Sequence, residues 1–129
     1  MSKAERLFQS FFGAPTEYDA FRLAHQVEVT EPYTDIYKCA VFDEHDKLCS
    51  FDDKPTNVQI DDQFGETKIC WQPNDVLHRV GKPAFVSIGH EDKKVRLEWH
   101  EHGKELRSEV LELKGSFKTV FDRVMEMIA

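Results

Sequence analysis

Residues 84–113 read AFVSIGHEDKKVRLEWHEHGKELRSEVLEL, three short runs rich in Val, Ile, Leu, Phe and Trp divided by two polar turns. The runs 84–88, 95–100 and 105–113 are too short and too β-branched or aromatic for helices, so they predict strands. Gly89 and Gly103 fall in the separators, and separators this short favour antiparallel neighbours. Toward the N-terminus the series continues through 67–71, 57–60, 48–51 and 36–42, the last reading IYKCAVF. Asp53, Pro55, Gly65, Pro73, Asn74, Gly81 and Pro83 punctuate it with residues that suit turns.

Helical spacing appears only outside this block. Phe117, Val120, Phe121, Val124, Met125 and Ile128 fall at i, i+3, i+4, i+7, i+8 and i+11, the stripe of an amphipathic helix that Ser116 can cap after the break at Gly115. Leu7, Phe8, Phe11 and Phe12 mark a helix over 3–12 that Gly13 and Pro15 stop. Thr16 is placed as the N-cap of a second helix running to about His25, with Glu17 and Asp19 in its first turn. These segments predict an α+β fold: an antiparallel meander of about six strands, with N-terminal helical segments and a C-terminal helix packed on one face. At 129 residues the chain is read as a single domain spanning 1–129.

With 24 acidic and 17 basic residues the chain carries a net charge of −7, which disfavours wrapping of duplex nucleic acid by phosphate neutralisation. Residues 43–66 hold eight of those acids against two lysines, so nearly all the net charge sits in 24 residues, whereas 67–129 is almost balanced with eleven basic and ten acidic side chains. The eight are Asp43, Glu44, Asp46, Asp52, Asp53, Asp61, Asp62 and Glu66, and they are expected to crowd one side or end of the sheet as a partner-binding surface. Neither Asp43 nor Asp52 opens an EF-hand calcium loop. The N-terminus lacks the apolar core of a secretion signal, and nothing approaches a membrane-spanning run, so the expected compartment is the cytoplasm. Cys39, Cys49 and Cys70 are an odd number, in keeping with reduced thiols.

His100 and His102 lie two apart on a strand end with Glu105 three residues on, a spacing that some metal sites in β-barrels use. The spacings of Cys39, His45, Cys49 and Cys70 do not form zinc knuckles. No Gly-rich phosphate loop, nucleophile elbow or His-Glu-x-x-His helix occurs.

From Trp71 to Arg107 the two ends of the segment are roughly alike. Trp71, Asn74-Asp75, Leu77 and Arg79 recur as Trp99, His102-Gly103, Leu106 and Arg107, at an offset of 28 to 29 residues. Together with Leu77-His78-Arg79 and Pro83-Ala84, this resembles the short hairpin repeats of many bacterial and phage proteins. In those repeats a Trp-containing strand leads into Asn-Gly-Lys-Leu-His-Arg, a few variable residues and Pro-Ala. Two copies fall short of a self-supporting array, so the segment is read as a hairpin packing device, with Trp71 and Trp99 in or beside the core and His78 or Arg79 fixing a turn. The resemblance implies no catalysis. It implies a phage or mobile-element type of protein that binds and blocks a host component.

The function expected from these readings is a small noncatalytic binding protein, with no catalytic residue, cofactor or metal. Its acidic segment would dock a basic partner protein in a host defence or nucleic-acid-handling complex, with Phe51, Phe64 and Trp71 as candidate anchors. Neither duplex nucleic acid nor membrane is an expected partner, and a homodimer is compatible with the sequence. Two alternatives are carried: a metal-dependent β-domain enzyme using His100, His102 and Glu105, and a sequestering protein whose Arg79, Lys82 and Arg96 line a pocket for a small anion.

Overall fold

The computed structural model describes residues 2–13, 15–30 and 36–129. Helices α1 (Lys3–Gln9) and α2 (Pro15–Ala24) precede strands β1 (Gln26–Thr30), β2 (Ile36–Phe42), β3 (Asn57–Asp61), β4 (Glu66–Cys70), β5 (Phe85–Gly89), β6 (Lys94–Glu101) and β7 (Lys104–Glu112), and helix α3 (Phe117–Ile128) ends the chain. All seven strands form one antiparallel sheet in sequence order, β1 and β7 at its edges. The α+β architecture is therefore the expected one, with one strand more than the meander of about six. The extra strand is β1, where Val27 and Val29 face Val41 and Cys39 while Gln26, Glu28 and Thr30 stay exposed. Residues 48–51 are not a strand: Leu48 makes a single bridge to Phe42.

Alternation along the strands gives the sheet its two faces. Cys39, Val41, Val58, Ile69, Val86, Ile88, Val95 and Leu97 point to one of them and, with Ala4, Phe8, Tyr18, Trp71, Val120, Val124 and Ile128, form the hydrophobic core. The helices thus cover that face. On the other, open face lies a polar row across β4 to β6, in which Lys68 pairs with Ser87 and Ser87 with Arg96, and apolar Val110 of β7 follows beside Arg96.

Local signals explain the helix ends. Ser2 and Glu5 make a reciprocal capping box at the start of α1. Ser116 caps α3, its hydroxyl accepting the Thr119 N–H at 3.2 Å. Thr16 does not cap α2, because the helix already begins at Pro15, whose fixed φ and missing N–H suit a first helical position. α1 stops at Gln9, short of 12, yet Phe11 and Phe12 still pack on the core, Phe11 edge-on to Trp71 at 6.1 Å between ring centroids.

Candidate functional site

The acidic segment does not form one surface. An antiparallel meander sends successive connections to alternate ends of its sheet, so Asp43, Glu44, Asp46, Asp52 and Asp53, between β2 and β3, lie at one end. Asp61, Asp62 and Glu66, at the β3–β4 turn, lie at the other. The five residues of β3 separate the groups by roughly 13 Å. Much of the charge also serves the chain itself. Asp53 accepts from Arg79 through both carboxylate oxygens, at 3.1 and 3.0 Å, with Lys82 at 3.6 Å, and Asp62 pairs with Lys3. The Arg79 hydrogen bond holds the Asp53 carboxyl below the usual carboxylate range. Asp43 accepts the Lys47 and His45 N–H groups, and the first of these does most to lower its pKa. Asp46, Asp52 and Asp53 all have positive φ, a conformation that Asp tolerates better than most side chains, so turn geometry accounts for part of the acidic run.

A second, non-contiguous acidic set appears instead. Asp61 is buried, and its Oδ1 accepts the N–H groups of Gln63 and Phe64, both at 3.0 Å. This fixes a turn whose Phe64 is 79% exposed. The His90 N–H donates to the Gly65 carbonyl at 2.7 Å, and Thr67 Oγ1 lies 2.7 Å from His90 Nε2, which ties the β3–β4 turn to the β5–β6 turn. Asp62 and Glu66 thereby meet Glu91 and Asp92 around Phe64. All five border a groove of about 700 Å³ over the open face, with Lys68, Phe85 and Arg96 among its other walls. Glu66, Glu91 and Asp92 take part in none of the ion pairs of the described residues. Of the three candidate anchors, Phe64 alone projects: Trp71 is buried, and Phe51 is half-buried with its ring stacked on His25 at 3.8 Å.

The two histidines of the metal reading part company. A bulge at Trp99/His100 sets His100 opposite Glu105, while His102 takes a positive φ in the tight turn and lays its ring 4.4 Å from that of His78. Its N–H donates to His78 Nδ1 at 2.9 Å, so His78 indeed holds a turn. Glu98 takes the vacated place. Its Oε1 lies 2.9 Å from His100 Nε2, and ligand atoms of Glu98, His100 and Glu105 lie within 4.8 Å of one another, the one such group among the described residues. The signal for Glu98 was present in the sequence, since residues two apart on a strand share a face.

Arg79 and Lys82 border one cavity, where both pair with Asp53, but Arg96 is not part of it. Arg79 is buried on the helix side, where it also donates to the Pro83 and Ile128 carbonyls at 3.2 and 2.8 Å and covers the Trp71 ring at 3.8 Å, whereas Arg96 lies on the open face. The thiols are unsuited to attack at neutral pH: burial pushes Cys39 up to about 12 and Cys70 to about 11, and raises Cys49. Cys39 lies 3.9 Å from the Tyr18 hydroxyl, beneath the helices, and the cysteines do not gather with His45 into a ligand set. None of the described helices is long and apolar enough to cross a membrane. No family model or curated protein matches the chain, and no solved structure does.

Proposed function

We propose that this chain is a noncatalytic binding protein that engages a basic partner protein through the joined β3–β4 and β5–β6 turns and blocks it by occupancy. The observation that supports this reading is Phe64, a large apolar side chain held out in solvent by a turn that the Asp61 carboxylate organises. A preorganised aromatic loses little entropy on docking. Asp62, Glu66, Glu91 and Asp92 around it supply a negative rim that speeds encounter with a positive surface and sets orientation. The hairpin resemblance implies a host component as the partner, and a host defence or nucleic-acid-handling complex is the partner class proposed. The docking residues are thus Glu66 of the original eight, joined by Glu91, Asp92 and Phe64, with Asp62 at the margin in its pair with Lys3, while Asp53 and Asp61 maintain the fold.

Affinity capture from host cells at about physiological ionic strength tests this reading. The wild-type chain is expected to retain a basic partner that Phe64→Ala and the pair Glu66→Lys, Glu91→Lys each lose, while Glu44→Lys, Asp46→Lys at the opposite end retains it. Capture that survives the first changes and fails with the last would reject this surface.

A second reading rests on the Glu98, His100 and Glu105 group. Glu98 Oε1 and His100 Nε2 lie 2.9 Å apart, close to the edge of about 3.0 Å between neighbouring ligands of an octahedral ion about 2.1 Å away and short of the about 3.4 Å edge of a tetrahedral one. His100 Nδ1 is buried without a partner. Titration with zinc or manganese, against His100→Ala, is the check. Equal heats from both proteins would remove it.

A further inference from the structure

We propose that β7 is a self-pairing edge, joining a second copy of this chain through an antiparallel β7–β7 contact centred on Ser108. This inference is independent of the proposed docking turns. β7 is paired with β6 on one side, and among the described residues its other side has no neighbouring strand. At nine residues it is the longest strand of the sheet, with no proline or glycine to blunt it, whereas the opposite edge, β1, is five residues long and packs against α2. Two large apolar side chains stand exposed on β7, Leu106 at 54% and Val110 at 57%.

Charges usually protect such an edge, and β7 carries Lys104, Glu105, Arg107, Glu109 and Glu112. Here three of the four facing pairs about the centre are complementary. When two identical strands pair antiparallel about Ser108, Arg107 faces Glu109, Leu106 faces Val110 and Lys104 faces Glu112, Glu105 against Leu111 is the one unmatched pair, and the two-fold axis repeats each. Other centres lose this match. An axis at Arg107 sets Glu105 against Glu109, and one at Glu109 sets Arg107 against Leu111 and Leu106 against Glu112. The sequence therefore selects one register, which is the requirement for a specific edge contact. In the single chain Arg107 lies over Trp99 at 4.0 Å and bonds its own Glu109 at 2.7 Å, Arg107 exposed and Glu109 partly so, and the groups that the contact needs already stand at the edge. Ser108 at the axis is small enough for close approach.

Sedimentation equilibrium of the full chain tests the proposal. The wild type is expected to show a monomer–dimer equilibrium. Arg107→Glu and Glu109→Arg are each expected to weaken it by about tenfold or more, because each places like charges opposite one another twice. Mixing the two variants should restore a dimer, since the two acidic side chains at these positions of the first variant then face the two basic ones of the second. A merely structural role for Arg107 is not rescued by mixing. Circular dichroism establishes that each variant is folded, and the more exposed pair Lys104→Glu and Glu112→Lys supplies the same test should either unfold. A wild type that remains monomeric at several hundred micromolar, or mixtures that fail to associate, would overturn the proposal. A dimer indifferent to all four changes would overturn this edge and register.

Discussion

The guanidinium of Arg79 meets the carboxylate of Asp53, 26 residues earlier in the chain, through two parallel hydrogen bonds from Nε and Nη2, and the same Nη2 also donates to the Ile128 carbonyl at the end of α3. Loop, sheet and C-terminal helix are tied by one side chain that is itself 5% exposed. The two partners are not equally replaceable. Arg79→Ala leaves the Pro83 and Ile128 carbonyls without their donor and uncovers the Trp71 ring, so a loss of about 3–5 kcal/mol is expected in urea unfolding. Asp53 is half exposed, and Asp53→Asn is expected to cost about 1 kcal/mol or less. Because Arg79 depresses the Asp53 pKa in the folded state, this contribution is present at neutral pH and fades as pH falls through the carboxylate range. The Asn variant should therefore match the wild type more closely below about pH 3 than at pH 7.

Thiol accessibility gives a second check. With Cys39 pushed up to about 12 and Cys70 to about 11, alkylation at pH 7.5 is expected first at half-buried Cys49, followed by mass spectrometry of peptides. The buried pair should react only on unfolding. A raised thiol pKa also means that the unfolded chain ionises first, so stability is expected to decline as pH rises above about 9. Prompt labelling of Cys39 in the folded protein would contradict its place beneath α2.

The turn that presents Phe64 should depend on Asp61 rather than on Phe64 itself. Asp61→Ala removes the acceptor for two backbone N–H groups and is expected to cost about 1–2 kcal/mol, whereas Phe64→Ala should stay within about 0.5 kcal/mol of wild type. Amide exchange at Gln63 and Phe64 should quicken in the first variant alone.

Helix α3 separates cap from core. Ser116→Ala is expected to cost about 1 kcal/mol through the lost Thr119 bond. Val124→Ala, at a fully buried position, is expected to cost about 2–3 kcal/mol. Thermal unfolding followed by circular dichroism ranks them, and equal losses would contradict the packing of α3 on the sheet.

Much of this was legible in residue order. Periodicity marked α3 and six of the seven strands, because apolar spacing follows directly from which side chains a sheet or helix must bury, and the capping role of Ser116 needed only its neighbours. β1 escaped because QVEVT is short and half polar, as an edge strand can be. Where charged groups finally stand was not legible in the same way. Asp53 reads like Asp52 in sequence, yet one pairs with a buried arginine and the other does not, and His102 reads like His100 until a bulge and a turn aim them apart. Burial is a local property of pattern, whereas ion pairs, the meeting of Glu66 with Glu91 and the exposure of Phe64 depend on which strands become neighbours. Chain reversal in three dimensions sets those adjacencies, which is why a contiguous acidic run became two distant groups.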